Sequence, residues 1–245
     1  MLTAELIARV ARTEPDPGPQ PGSVPLTDED YESMAEELLS ERPPGPLWLF
    51  AYGSLIWKPE ILHDEEWLAT APGWHRAFCL KLTRWRGTRE RPGLMMALDR
   101  GGSCNGLLLR LPESGLRGHV LKLLRREMSV KWTSQEMTGM RLQRAALGTG
   151  NSARWIRIRS DGEILRALAF VANPKGRIYA GRLAPQEVAH ILATAAGHWG
   201  SGAEYLYNTV VHLDSRGIRD RGLWRLQALV AAEIAAQDVR HPVAE

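Results

Sequence analysis

The spacing of hydrophobic positions changes along this chain, and each change predicts a different element. Residues 2–10 carry apolar side chains at helical intervals and predict a short amphipathic helix. Residues 14–25 (EPDPGPQPGSVP) replace that pattern with Pro and Gly and predict an irregular linker. Thr27, followed by Asp28, Glu29 and Asp30, reads as a helix start with acids in its first turn. A helix over 28–41 follows, with Tyr31, Met34, Leu38 and Leu39 on one side, and Pro43-Pro44-Gly45-Pro46 stops it.

From residue 47 short strands dominate. They are predicted over 47–52, over 66–70 and 74–83 around a Pro72-Gly73 turn, over 94–98 leading into a Gly101-Gly102 turn, and over 105–111. Pro112 marks the start of a helix over 113–129, with Leu116, Val120, Leu123 and Leu124 at helical spacing. Strands resume over 137–146 and 155–160. Ser160-Asp161-Gly162-Glu163 is a tight hairpin signal, and 164–171 returns from it. The last third is helical: 185–196 ending at Gly197 as the residue beyond the helix, then 203–213 and 219–236. Strands with few intervening helices, then a helical tail, predict an α+β fold: a strongly curved or closed sheet with helices packed outside. Residues 1–46 read as an N-terminal extension, 47–236 as the main domain and 237–245 as a tail.

Composition narrows this little. The 245 residues suit one generous domain or two small ones, and the 44% apolar content is ordinary for a globular protein. Cys79 and Cys104 are the only cysteines, so neither a disulfide framework nor a CxxC metal site exists, and a reducing, cytoplasmic compartment is expected. The longest apolar stretches fall far short of a membrane span, and residues 1–12 lack the apolar run of a secretory signal. Formal net charge is only +3. The densest basic cluster, Arg84, Arg86, Arg89 and Arg91, reads as a solvated loop or as charge facing an acidic ligand. Apart from Trp85 no aromatic alternates with it, so neither nucleic acid nor membrane is an expected partner.

The chemistry-bearing residues are few. Seven histidines are scattered without HExxH, HxH or Cys/His clustering, so no metal is expected. Neither GxxxxGK[ST] nor GxGxxG occurs, so no nucleotide cofactor is expected. Leu49, Phe50, Ala51 and Tyr52 form a strand-like run that stops at Gly53, with Ser54 and Leu55 beyond it. A strand ending in glycine turns sharply and leaves backbone N–H groups outside any ladder. With the Ser54 hydroxyl they make a cradle for a carboxylate or carbonyl oxygen. Ser54 lacks the flanking glycines of a GxSxG elbow, so it reads as a binding or turn residue and not as a nucleophile.

Glu127 follows Val120, Leu123 and Leu124 at i, i+3, i+4 and i+7, which puts it on the apolar face of its helix. Burial there raises a carboxyl pKa and makes a general base. Two other readings stand beside that one: a buried partner of an arginine, or a residue that frays to solvent at the helix end. Tyr205, just after a Gly-rich turn, reads either as a half-buried helix tyrosine or as a hydroxyl within reach of a ligand.

Together these segments resemble the ChaC-type γ-glutamylcyclotransferases, and the bacterial branch most. The resemblance rests on Phe50-Ala51-Tyr52-Gly53-Ser54-Leu55-Ile56-Trp57-Lys58-Pro59 and Gly73-Trp74-His75-Arg76-Ala77-Phe78-Cys79-Leu80. It continues in Arg86-Gly87-Thr88 with Pro92-Gly93, Arg110-Leu111-Pro112-Glu113, Arg126-Glu127-Met128 and Glu204-Tyr205-Leu206. It implies a small mixed β-barrel with surrounding helices. It also implies a carbon–nitrogen lyase without cofactor that converts glutathione to 5-oxoproline and Cys-Gly. Glu127 falls on the family's catalytic glutamate, Leu49, Phe50, Ala51, Tyr52, Gly53, Ser54 and Leu55 on its γ-glutamyl-binding loop, and Tyr205 on a tyrosine near that pocket. Ser129-Val130-Lys131-Trp132 stands where many relatives have a Gly-Gly-Tyr or Gly-Cys-Tyr type segment, and Ala51 where ChaC proteins usually have glycine. The first departure bears on the pocket wall and substrate choice. Other γ-glutamyl amines or peptides, or a non-catalytic γ-glutamyl-binding regulator, are the alternatives.

Overall fold

The computed structural model describes residues 1–20, 22–132 and 150–240. The strand expected over 137–146 lies outside them. In chain order the elements are α1 (Ala4–Val10), β1 (Ser23–Pro25), α2 (Asp28–Ser40), β2 (Trp48–Ala51), α3 (Ser54–Trp57), β3 (Glu65–Leu82), β4 (Gly93–Arg110) and α4 (Leu116–Glu127). They continue with β5 (Val130–Trp132), β6 (Asn151–Ser160), β7 (Glu163–Ala172), α5 (Pro185–Thr194), β8 (Ala196–Gly197), β9 (Gly200–Ser201), α6 (Gly202–Ser215) and α7 (Arg221–Arg240). The chain divides into two compact units, one of Pro21–Ala77 and Ala97–Tyr179, the other of Met1–Gln20, Phe78–Met96 and Ala180–Glu245.

The first unit holds a closed barrel in the order β2-β4-β3-β6-β7, as the α+β reading expected. Closure comes from parallel pairing of β7 with β2 at Leu49↔Leu168 and with β4 at Leu98↔Val171. A closed sheet has no open edge to template aggregation. β2 is buried along its whole length, with Leu49, Phe50 and Ala51 at 0% exposure, because it pairs on both sides inside the barrel. β6 and β7 form the expected hairpin in register Ser160↔Glu163. Its two-residue turn has Asp161 at φ 46° and Gly162 at φ 79°, the positive pair that a type I′ turn requires. Helix α2 starts on a full capping box between Thr27 and Asp30.

Several expectations are corrected. Pro72-Gly73 and Gly101-Gly102 do not reverse the chain: β3 and β4 run through them as single strands of 18 residues, with the positive φ of Gly73, Gly101 and Gly102 absorbed inside each strand. Residues 23–25 leave the linker and pair with β5, Ser23↔Trp132 to Pro25↔Val130. Helix α4 begins at Leu116 because Gly115, at φ 71°, is its left-handed N-terminal neighbour.

The second unit is mainly helical. α5 ends at Thr194, two residues earlier than expected, and Gly197 sits in β8, paired with Gly200. An added Cβ at Gly197 would lie 2.3 Å from the Trp85 carbonyl oxygen, so close backbone approach demands glycine there. Residues of the N-terminal segment are tied to the arginine loop: Asp16 accepts from Arg84 Nε at 2.7 Å and Nη2 at 2.6 Å, and Pro19 O from Arg89 at 3.5 Å.

Candidate functional site

The strand β2 delivers the chain to a turn at Gly53, after which Ser54 opens the four-residue helix α3. Two bonds hold the turn: Ile56 N–H donates to Gly53 O at 2.8 Å and Lys58 N–H to Ser54 O at 2.7 Å. Tyr52 is fixed at both ends. Its hydroxyl donates to Phe170 O at 2.8 Å, and its carbonyl accepts from Arg76 Nε at 2.6 Å. Arg76, itself 8% exposed, also donates to Asn105 O at 2.5 Å and so ties β2 to β4. Gly106 lets β4 lie against β2, since a Cβ there would meet Ala51 O at 2.5 Å and the Phe50 ring at 2.8 Å. The loop residues thus divide. Leu49, Phe50 and Ala51 are barrel interior, Tyr52 and Leu55 are buried at 6% and 4% exposure, and Ser54 is half-buried.

Helix α4 brings Glu127 to the same place. Val120, Leu123 and Leu124 are buried at 0–1% exposure, and Glu127, on the same face, keeps 16% of its side-chain surface. Desolvation raises the Glu127 pKa above the ordinary carboxylate value. The charge and hydrogen bond of Arg126 oppose that rise, and the Glu60 carboxylate adds to it.

Arg126 joins these parts. Its Nε donates to Glu127 Oε1 at 3.1 Å, and its Nη2 to Ser54 Oγ at 3.2 Å. Its Nη1 donates to the Lys58 carbonyl, to Pro59 O at 3.2 Å and to Glu60 Oε2 at 3.2 Å. One guanidinium therefore spans the helix end, the Ser54 hydroxyl and the loop beyond α3. Glu127 sits partly buried on the apolar face of α4 and is an arginine's partner; it does not fray to solvent at the helix end. Arg126 and Arg76 had no role in the sequence reading. Arg126 stood beside the glutamate there, but nothing local revealed that it reaches Ser54.

Tyr205 belongs to the other unit, on α6, where Ser201 caps the helix by accepting from Glu204 N–H at 3.1 Å. The ring is 5% exposed, edge-on to Phe78 at 6.2 Å, with the Arg86 guanidinium carbon 5.2 Å from its centroid. Arg86 donates to Ser201 O at 2.9 Å and to Glu204 Oε2 at 3.4 Å. Burial draws the Arg86 pKa down from its ordinary value, with Glu204 and Tyr205 opposing. Among the described residues no group of three or more His, Cys, Asp or Glu side chains is arranged to hold a metal ion.

A family model described as "ChaC-like protein" matches residues 47–233. The glutathione-specific γ-glutamylcyclotransferase of Escherichia coli K12 is 35% identical over 192 residues, covering 78% of this chain and 75% of that protein. Glutathione-specific γ-glutamylcyclotransferase 1 of Mus musculus is 26% identical over 178 residues, 71% of this chain and 72% of that protein. Among solved structures, a γ-glutamylcyclotransferase specific to glutathione from yeast superposes with a TM-score of 0.63 at 18% identity, over 76% of this chain and 96% of that one, and shares the fold.

Proposed function

The chain belongs to the ChaC-like protein family, and from that premise we propose that it is a glutathione-specific γ-glutamylcyclotransferase working from the Glu127 site. The α-amine of the γ-glutamyl group attacks its own γ-carbonyl carbon. A new C–N bond closes the five-membered ring, and the amide bond to cysteine breaks. The products are 5-oxoproline and Cys-Gly, with no cofactor consumed. Residues 47–236 form the catalytic part in this reading, working in the cytoplasm. Among the described residues no helix is long and apolar enough to cross a membrane.

The observation that carries the site assignment is the partly buried Glu127 bonded through Arg126 to Ser54. A free α-amine has a pKa of about 7.7–8.0, so it is largely protonated near neutrality. The neutral fraction of the amine attacks; Glu127, with its raised pKa, takes the proton that the attacking nitrogen sheds and returns it to the departing cysteine nitrogen. Glu127 is thus base and then acid. Nucleophile and electrophile sit in one molecule, so much of the acceleration comes from folding the γ-glutamyl chain into its ring-closing shape; well-oriented intramolecular reactions reach roughly 10⁵–10⁸ M effective molarity. The turn from Tyr52 to Leu55 grips the γ-glutamyl end, and its backbone N–H groups hold the developing oxyanion. Leu49, Phe50 and Ala51 support that turn from the barrel interior.

The test is direct. Purified protein with glutathione yields 5-oxoproline and Cys-Gly in equal amounts, and a panel of γ-glutamyl amino acids reacts far more slowly. A folded protein that forms no 5-oxoproline from any of them overturns the reading. Equal rates across the panel overturn glutathione selectivity alone.

A further inference from the structure

The barrel carries a concave region along β3, β4 and β6, built from residues that the reaction above does not use. It is a depression of about 430 Å³, within the size range of small-molecule sites. Its lining includes Trp74, Arg100, Arg154, Trp155, Arg157 and Arg159. All four arginines are exposed, and none forms an ion pair with a carboxylate among the described residues. Arg157 and Arg159 point the same way from β6, two residues and so about 6.6 Å apart along the strand. Directly across the hairpin Arg157 faces Arg166, which is exposed and donates to Trp155 O at 3.3 Å. Like charges opposite one another in an antiparallel pair destabilise it. The chain has a net charge of only +3, yet it gathers uncompensated guanidinium groups around one hollow.

From this we propose that the hollow binds a small ligand carrying a chain of phosphates, a polyphosphate or the polyphosphate end of a nucleotide. Guanidinium groups present paired N–H donors that match phosphate oxygens, and several of them share a multiply charged chain better than a single carboxylate. The aromatic residues favour a phosphate chain over stacked bases. Trp74 is only 5% exposed, and Arg100 already covers its ring at 4.1 Å, so it offers no open platform for a nucleobase. The Trp155 indole Nε1 is buried without an acceptor. The ligand therefore lies along the arginines, neutralising the Arg157–Arg166 repulsion, and recognition rests on charge and phosphate geometry. This site is independent of the γ-glutamyl reading, and its outcome leaves that reading untouched.

The experiment is calorimetric titration with sodium tripolyphosphate and with ATP, at low and at moderate salt. The expected result is saturable one-to-one binding of both, weakening steeply with salt. The double variant Arg157→Gln/Arg159→Gln weakens both at least tenfold and keeps the wild-type rate on glutathione. Equal affinity for the two probes identifies the phosphate chain as the ligand, and tighter ATP binding would overturn recognition by the phosphate chain alone. The single variant Arg157→Gln has a melting temperature equal to or above wild type, because a like-charge pair is gone. The proposal is overturned by absence of saturable binding, or by equal weakening in an Arg89→Gln/Arg91→Gln control, which would mean diffuse attraction to any arginine cluster.

Discussion

Asp30 and Glu127 are carboxylates of the same unit, on helices α2 and α4 that pack against each other, and their protons are held in opposite directions. Asp30 is 8% exposed, and burial alone would raise its pKa. Lys131 Nζ at 2.5 Å, Thr27 N–H at 2.8 Å and the Thr27 hydroxyl at 3.2 Å together outweigh burial and lower it. Asp30 also lies in the first turn of α2, where the helix dipole favours an anion. Glu127 is the last residue of α4, where the dipole disfavours one, and Arg126 supplies its charged hydrogen bond. Burial acts against the charged form at both sites, and the outcome differs. The carboxylate with three donors is held ionised, whereas the one with a single donor at a helix C-terminus holds its proton to higher pH, which is what the proposed base requires.

The largest way to break the comparison is to remove the proposed proton carrier. Glu127→Gln keeps the shape and loses the proposed base, so kcat on glutathione falls by about 10²–10⁴ while the fold persists, as measured by 5-oxoproline release. Asp30→Ala leaves kcat near wild type. A Glu127→Gln enzyme of wild-type rate would move the base elsewhere.

The next effect sharpens the role of Arg126. Its charge holds the Glu127 pKa down, so Arg126→Gln raises that pKa further and moves the acid limb of the pH–rate profile to higher pH. The Ser54 link is lost as well. Catalysis drops on the order of tenfold to a hundredfold at pH 6, as expected for a misplaced site, and recovers in part toward pH 8. A loss that is the same at every pH would make Arg126 purely structural.

Stability separates the two carboxylates with opposite signs. The folded pKa of Asp30 is lowered, so its stabilisation is present above the unfolded value and is lost as pH falls through the folded one. The folded pKa of Glu127 is raised, so its contribution is most favourable at acid pH and is lost as pH rises through the folded value. Asp30→Ala then costs about 2 kcal/mol at pH 7, and less at pH 3. Glu127→Gln unfolds at a higher temperature than wild type at pH 8, and the gain vanishes near pH 4. Thermal melts of both variants across pH 3–8 check the crossing.

Much of this contrast was legible in the sequence, because it is local. Thr27 with Asp30 spells a cap, Asp161-Gly162 spells a hairpin turn, and the spacing from Val120 to Glu127 puts an acid on an apolar face. The rest was not legible, because it is tertiary. Pro72-Gly73 has the composition of a turn, yet pairing of β3 with its neighbours in the barrel overrides that preference. The same holds for Ser23–Pro25, whose partner strand lies more than a hundred residues away. Arg126 reaches Ser54 across 72 positions of chain, and no periodicity reports such a contact.

The smallest effect tests whether the scaffold carboxylate acts on the site at all. In Thr27→Ala the hydroxyl that accepts from Asp30 N–H at 3.2 Å is gone, but the Thr27 N–H bond to Asp30 and the Lys131 pair remain. An N-cap loss of that kind costs about 1 kcal/mol, which lowers the melting temperature by roughly 2–4 °C in a chain of this size. The pH–rate profile should not move, because the Glu127 pKa is set by its burial, by Arg126 and by Glu60, and Thr27 is not among its causes. A shifted acid limb in Thr27→Ala would mean that the start of α2 governs the end of α4. The two carboxylates would then form one coupled system and not a scaffold beside a site.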